Sequence, residues 1–198
     1  SAEEAALTEC NSGFYCFDVE VLFWALSQVN NDNAQGEYYL TDVLEICRRA
    51  GHKVISFSTG DPSECAGVNS RAQLAAATKA AQQRINAYHL AQGVTMTDPE
   101  LVWIGPDVQI GRDVEILPLT MLMGSTVVGE DCVLGPNTRL TDTKVGCGCT
   151  IDETVALEAV LDDGATCGPR AYLRPGAHLC EGAKAGTHVE IKKSTVGA

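Results

Sequence analysis

From Ile104 onward, apolar side chains return every sixth residue. The series runs Ile104, Ile110, Ile116, Leu122, Val128, Leu134 and Leu140, steps five residues to Val145, and continues through Ile151 and Leu157. A four-residue step leads to Leu161, Cys167, Leu173, Leu179, Ala185 and Ile191, and a five-residue step to Val196. Glycine follows directly at Gly105, Gly111, Gly129, Gly135, Gly146, Gly168, Gly186 and Gly197. Four places after each aliphatic comes a small or β-branched residue: Val108, Val114, Thr120, Thr126, Cys132, Thr138, Cys149, Val155, Ala165, Ala171, Ala177, Ala183 and Val189. A six-residue period held this long marks a parallel β-helix. Each hexad is one short strand with its corner, and three hexads make a triangular coil. The aliphatic fills the interior, the small residue packs beside it, and glycine permits backbone conformations that a side chain penalises. Coils then stack at parallel-strand spacing, about 4.8 Å.

The remaining sequence alternates helix and strand patterns. Asn11 to Phe17 reads as a strand, and Asp18 as the N-cap of a helix with a Val19, Leu22, Phe23, Leu26 stripe. A polar loop from Asn30 to Tyr39 precedes a second helix, capped by Thr41, striped by Val43, Ile46, Cys47 and Ala50 and stopped at Gly51. Val54 to Phe57 reads as another strand and Gly60 to Glu64 as a turn. A long helix then follows Asn69-Ser70-Arg71 and ends near Gln92, with Gly93 as its stop. Leu74, Ala77, Ala81, Ile85 and Tyr88 share one face of it, with Lys79, Gln82, Gln83 and Arg84 mostly off that face. Such a helix between two cores is expected to act as a rigid spacer.

The net charge of −12 argues against nucleic acid or an anionic membrane surface as partner. No apolar run has the length of a membrane span, so the expected compartment is the cytoplasm. The nine cysteines are odd in number, and several sit at repeat positions that want small side chains. Cys147-Gly148-Cys149 lacks the second pair of a zinc site, and packing thiols are the better reading. The chain starts at Ser1 and stops two residues into a repeat, so a piece of a longer protein is expected.

Several motifs together carry a resemblance. They are Asn11-Ser12-Gly13, the run from Asn30 to Asp42, Gly67-Val68-Asn69-Ser70-Arg71, Asp98-Pro99, Gly111-Arg112-Asp113, Leu173-Arg174-Pro175-Gly176 and Val189-Glu190-Ile191-Lys192-Lys193. In order and spacing the chain resembles the bacterial bifunctional N-acetylglucosamine-1-phosphate uridyltransferase/glucosamine-1-phosphate acetyltransferase family. The resemblance implies three segments: residues 1–71 as the C-terminal part of a Rossmann-like uridyltransferase domain, 72–92 as a linker helix, and 93–198 as the start of a left-handed β-helix acetyltransferase domain. The implied fold class is α+β with a β-solenoid. The implied parent moves an acetyl group from acetyl-CoA to glucosamine 1-phosphate. It then transfers a uridylyl group from UTP to the product, with Mg²⁺, to make UDP-N-acetylglucosamine, and it assembles as a homotrimer.

The resemblance also assigns residues. Asn11 matches the asparagine that hydrogen-bonds the nucleotide sugar, and Asn69 the asparagine that helps hold Mg²⁺, a hard ion suited to an amide oxygen. Read by themselves, Asn11 is equally a strand-end polar group and Asn69 equally an N-cap. Arg174 and Lys192 match the basic residues that contact the sugar phosphate. Arginine offers a planar fork to phosphate and lysine a point charge. The chain departs from the family at Thr187, His188 and Arg170, where other residues are usual. His188 is expected to project outward rather than act as a base, because the family's catalytic histidine would follow Ala198. The isolated chain is therefore expected to catalyse neither step. Two further readings stand beside this one: another sugar-1-phosphate nucleotidyltransferase with a β-helix tail, and a non-catalytic assembly subunit.

Overall fold

The computed structural model describes residues 9–198, so the first eight positions of the expected first segment lie outside the described residues. The described residues form two compact units, one ending at Gly67 and the other spanning Val68–Ala198.

The second unit is a parallel β-solenoid of about six turns. Its strands of two or three residues fall into three six-stranded sheets. The first face stacks Thr95–Met96, Glu115–Ile116, Val133–Leu134, Thr150–Ile151, Thr166–Cys167 and Lys184–Ala185. The second stacks Trp103–Ile104, Met121–Met123, Arg139–Thr141, Val155–Leu157, Tyr172–Leu173 and Glu190–Ile191. The third stacks Gln109–Ile110, Val127–Val128, Lys144–Val145, Val160–Leu161, His178–Leu179 and Thr195–Val196. A two-residue strand has no stability alone. Its N–H and C=O groups are satisfied only by the coils above and below, as in Met121 N–H to Thr138 O (2.8 Å) and Arg139 N–H to Thr154 O (2.8 Å).

Side chains alternate across each strand, so one residue of each pair points inward. Ile116, Leu122, Leu134, Leu140, Ile151, Leu161, Leu173 and Leu179 are fully buried in this row, as the hexad count requires. One position differs. The second face registers Leu140 on Ala156 and Ala156 on Leu173, which buries Ala156 and leaves Leu157 opposite Thr141 and half-buried. The irregular stretch is therefore two five-residue steps, Ile151 to Ala156 to Leu161, in place of a six and a four. Its companion shifts too, with Thr154 buried where Val155 is expected. The larger side chain invited the wrong phase; backbone pairing fixes the right one.

The small-residue row is polar in the early coils. Thr126 Oγ1 donates to Met123 O (2.6 Å), Thr143 Oγ1 to Thr141 O (2.9 Å) and Thr154 Oγ1 to Asp152 O (2.7 Å). These hydroxyls satisfy themselves locally, which lets threonine fill a space alanine fills later. The glycine after each aliphatic has more than one cause. Gly135 needs its positive φ of 106°, but at Gly129 a Cβ would lie 2.7 Å from the carbonyl carbon of Gly146. There the requirement is close approach of coils, not dihedral freedom.

A helix, α3 (Arg71–Ala91), packs on the first coils. Ser70, not Asn69, is its N-cap: the Ser70 hydroxyl accepts from Gln73 N–H. Gly93 (φ 96°) ends it, with Val94 N–H returning to His89 O. The helix belongs to the same compact unit as the solenoid. Its buried face also differs from the expected apolar stripe. Gln82, Asn86 and His89 are buried, whereas Leu74 and Tyr88 are exposed. Gln82 Nε2 donates to Glu100 O and Val102 O, and Asn86 Nδ2 to Pro99 O and Val102 O. These amides take up carbonyls of the 99–102 segment that no strand pairs, and Ile85 packs against the core between them.

In the first unit, α1 (Val19–Leu26) and α2 (Asp42–Arg49) pack on each other. Asp18 caps α1 through Glu20 and Val21 N–H; Thr41 precedes α2 but makes no side-chain cap bond. The shared core is Ala25, Val43 and Cys47 with Phe17, Val21, Leu22, Val29 and Ile46, so Val19, Phe23, Leu26 and Ala50 of the expected stripes face outward. Asn11 to Phe17 and Val54 to Phe57 are not strands, and no strand precedes Thr95 among the described residues. A strand needs a partner edge, and neither segment has one. Phe14, Ile55 and Phe57 stay exposed. No layered Rossmann-like sheet therefore forms among the described residues before Thr95.

Leu140→Ala should cost about 2–5 kcal/mol, and Leu157→Ala under about 1.5 kcal/mol, because only the first opens a cavity in the interior row. Urea unfolding of the two variants checks the phase of the repeat.

Candidate anion-binding corner on the solenoid

Arg174 and Lys192 each follow the last strand residue on consecutive coils of the second face. Tyr172 registers on Glu190 and Leu173 on Ile191, and Arg174 N–H donates to Ile191 O (2.8 Å). The ladder thus sets the two cationic residues one above the other at the same corner. Lys193, next in sequence, has φ 45° and lies against Gly176 of the coil below, its Cγ 3.4 Å from where a glycine Cβ would sit. Three basic residues thus share one corner of a strongly acidic chain.

The electrostatics of Arg174 are set by its neighbours. Its Nη1 donates to Glu190 Oε1 at 2.8 Å, and its guanidinium carbon lies 6.0 Å from the Tyr172 ring centroid. The Glu190 bond raises the arginine's pKa further, so it is a permanent cation. Ring and carboxylate also orient the fork. Neither Glu190 nor Tyr172 is identifiable as a supporting residue from the repeat alone. The signal is their spacing, eighteen residues apart at equivalent hexad positions beside Arg174. Lys192 is exposed, and its carbonyl accepts from Ser194 Oγ (2.9 Å).

The two asparagines lie elsewhere. Asn11 is exposed in the first unit, its Oδ1 accepting from Gly13 N–H (3.1 Å) and its Nδ2 donating to the Tyr15 hydroxyl. Asn69 is exposed in the second unit and gives its backbone N–H to Gln73 Oε1 (2.7 Å). Magnesium demands six oxygen ligands, and one exposed amide oxygen does not supply them. Among the described residues, no group of three His, Cys, Asp or Glu side chains gathers at Asn69.

The departures fall at corners. Arg170 (φ 60°) pairs with Glu153 at 3.1 Å, and His188 (φ 57°) is exposed, as its repeat position requires. All nine cysteines are unpaired. Cys147 is exposed while Cys149 is buried and points its thiol at Asp162 O (3.1 Å), so the two do not converge on a ligand. The neighbouring thiol of Cys149 and burial push Cys132 well above the ordinary thiol range, and burial raises Cys167. These thiols are neutral packing groups. A separate cleft of about 760 Å³ lies where α3 meets the solenoid, lined by His89, Gln92, Gln109, Arg112 and Glu130 among others. Burial lowers the pKa of His89 there, so its ring is neutral.

The repeat defines a class: residues 107–142 match the family described as bacterial transferase hexapeptide (six repeats). The match to full-length relatives is more specific. Proteins called bifunctional protein GlmU from Lactobacillus gasseri and Lactobacillus johnsonii are 49% and 48% identical over 98% of this chain. The relative of that name from Halalkalibacterium halodurans is 43% identical over 100% of it. The chain belongs to this GlmU family and spans about two-fifths (42–43%) of the length of those relatives. A solved perosamine N-acetyltransferase mutant from Caulobacter crescentus overlaps 57% of this chain and 61% of its own at 13% identity, with a TM-score of 0.33, too low to carry weight.

The burial of the thiols has a direct consequence. In native protein, a thiol-specific chromogenic reagent should modify Cys10, Cys16 and Cys147 quickly, Cys65 and Cys180 more slowly, and Cys132, Cys149 and Cys167 only after unfolding. Mass-spectrometric mapping of labelled peptides against time reads this order.

Proposed function

We propose that this chain is part of a bifunctional enzyme that makes UDP-N-acetylglucosamine. In this reading the solenoid belongs to the half that transfers acetyl from acetyl-CoA to glucosamine 1-phosphate. Residues 1–71 belong to the end of the half that transfers the uridylyl group of UTP to N-acetylglucosamine 1-phosphate, with pyrophosphate leaving, and residues 72–92 connect them. The reading rests chiefly on 43–49% identity to the GlmU relatives along nearly the full chain. The Arg174–Lys192 corner supports it, because the ladder sets a guanidinium and an ammonium group on neighbouring coils, a pair of charges suited to a phosphate.

The chemistry assigned to these residues is binding rather than proton transfer. Arg174, oriented by Tyr172 and Glu190, offers its fork to the phosphate oxygens, and Lys192 adds a point charge from the next coil. Together they place the sugar so that its amine faces the acetyl donor; a fixed orientation of this kind lowers the entropy cost of the transfer. Glu190 is already paired with Arg174, so it is not offered as the base that takes the amine proton. Asn11 is assigned to the nucleotide sugar. Of this chain, Asn69 alone is offered to the Mg²⁺ of the uridylyl step, and no other part of that site is assigned here. Left-handed coiling, a homotrimeric assembly and a cytoplasmic location complete the reading. It accords with the fact that no described helix is long and apolar enough to cross a membrane.

Glucosamine 1-phosphate should bind the chain weakly, with a ³¹P shift that titrates. Arg174→Ala and Lys192→Ala should each weaken that binding about 10–100-fold, the worth of a hydrogen bond to a charged group. Binding indifferent to both substitutions contradicts the assignment. Without a base beside the corner, the 198 residues should release no coenzyme A from acetyl-CoA and glucosamine 1-phosphate, and measurable release overturns that expectation.

A further inference from the structure

The third face of the solenoid carries a departure from its own rule. The residue after the inward aliphatic is glycine on the first three coils, at Gly111, Gly129 and Gly146. On the next two coils the same position holds Asp162 and Cys180. Their backbones are adjacent because Leu161 registers on Leu179, and Asp162 N–H donates to Leu179 O at 2.8 Å. His178 opens the strand His178–Leu179 and Cys180 directly follows it, its N–H continuing the ladder to Val196 O, so the two side chains, two residues apart, leave the same side of the sheet. Its Nε2 sits 2.7 Å from Asp162 Oδ2, and one donor atom from each of Asp162, His178 and Cys180 lies within 4.8 Å of the other two.

We propose that Asp162, His178 and Cys180 form a binding site for a thiophilic divalent cation, Zn²⁺ by preference, clipping two successive coils together. A carboxylate oxygen, an imidazole nitrogen and a thiolate sulfur are the ligand types zinc takes, and three protein ligands leave a fourth position for water. Magnesium and calcium are disfavoured by the sulfur and nitrogen donors. Zinc bonds of about 2.0–2.3 Å in a tetrahedron put ligand atoms about 3.3–3.8 Å apart, so side-chain rotations of about 1 Å convert the present cluster into a coordination shell. The backbone need not move, since Cys180 N–H is held by Val196 O (2.9 Å) and His178 N–H by Ser194 O (3.0 Å). All three side chains are partly exposed, which gives the ion an entry path. The outward row on this face reads Lys144, Val160, His178, Thr195, so valine separates the only lysine of that row from the site.

The proton balance is definite. The ion takes the place of the hydrogen bond between His178 Nε2 and Asp162, leaving the imidazole neutral with its proton on Nδ1. The Cys180 thiol loses its proton to solvent, so one proton is released per ion bound, and carboxylate plus thiolate offset the ion's charge. No bond changes oxidation state.

The test is a cobalt and zinc titration of the full chain, reduced and under argon. Cys10, Cys16 and Cys147 are replaced by serine to silence the other exposed thiols. The expected result is one equivalent of Co²⁺ per chain, with a thiolate-to-cobalt charge-transfer band and tetrahedral visible bands, displaced by one equivalent of Zn²⁺. Cys180→Ser should abolish the charge-transfer band, and His178→Gln and Asp162→Asn, which keep size and leave the interior untouched, should each weaken binding at least about 100-fold. Zn²⁺ should raise the melting temperature of the parent and not of these variants. Absence of stoichiometric binding, or binding that survives Cys180→Ser and His178→Gln, overturns the proposal.

Discussion

The structure depends on one constraint: a strand of two residues cannot exist without a strand above it and another below. Each face of the solenoid is a stack of such strands, joined only by ladder bonds from coil to coil. Because inward and outward positions alternate, a slip of one residue anywhere would turn a leucine out and a charged residue in. Vertical pairing and the interior row therefore enforce each other. The five-residue steps are tolerated because corners, not strands, absorb the missing residue. Residues such as Asp142 and Glu158 there take positive φ, and Asp142 reaches back to Ser125 N–H and Oγ of the coil before. Those two bonds hold the Asp142 carboxylate below its usual pKa, so its support is present at neutral pH and is lost on acidification through that lowered value.

The same ladder turns spacing in sequence into proximity in space. Residues a coil apart in sequence become neighbours in space, so Arg174 and Lys192 form one corner, and Glu190 and Tyr172 set the arginine's direction. On another face the identical geometry brings Asp162 beside His178 and Cys180. Neither cluster needs a loop or a lid. Each is a short run of exceptions to the repeat, displayed on a rigid support.

How much of this can be read from the residues follows from the physics. The interior of a coil admits only apolar or small side chains, so the hexad count was visible throughout, and the match to GlmU relatives agrees with the motifs that interrupt it. Leu157 misled because hydrophobicity alone favours it over Ala156; the pairing that decides is not a local property. α3 misled for the opposite reason. Gln82, Asn86 and His89 look solvent-facing until the unpaired carbonyls of Glu100 and Val102 are placed beneath the helix. The strand patterns at Asn11–Phe17 and Val54–Phe57 are β-like in composition, but propensity cannot supply a partner edge. Glu190 and Tyr172 were hidden because both occupy ordinary outward positions, and only the register shows what they face.

Amide hydrogen exchange read residue by residue tests the central claim, that vertical pairing is what holds the chain. The amides of Met121, Arg139, Val155 and Tyr172, each donating to the next coil, should exchange slowly and together, limited by cooperative unfolding of the solenoid. Those of Phe14 to Phe17 and of Val54 to Phe57 should exchange near the rate of an open chain. Rapid, uncorrelated exchange along the ladder, or equal protection at Val54 to Phe57, would contradict the account.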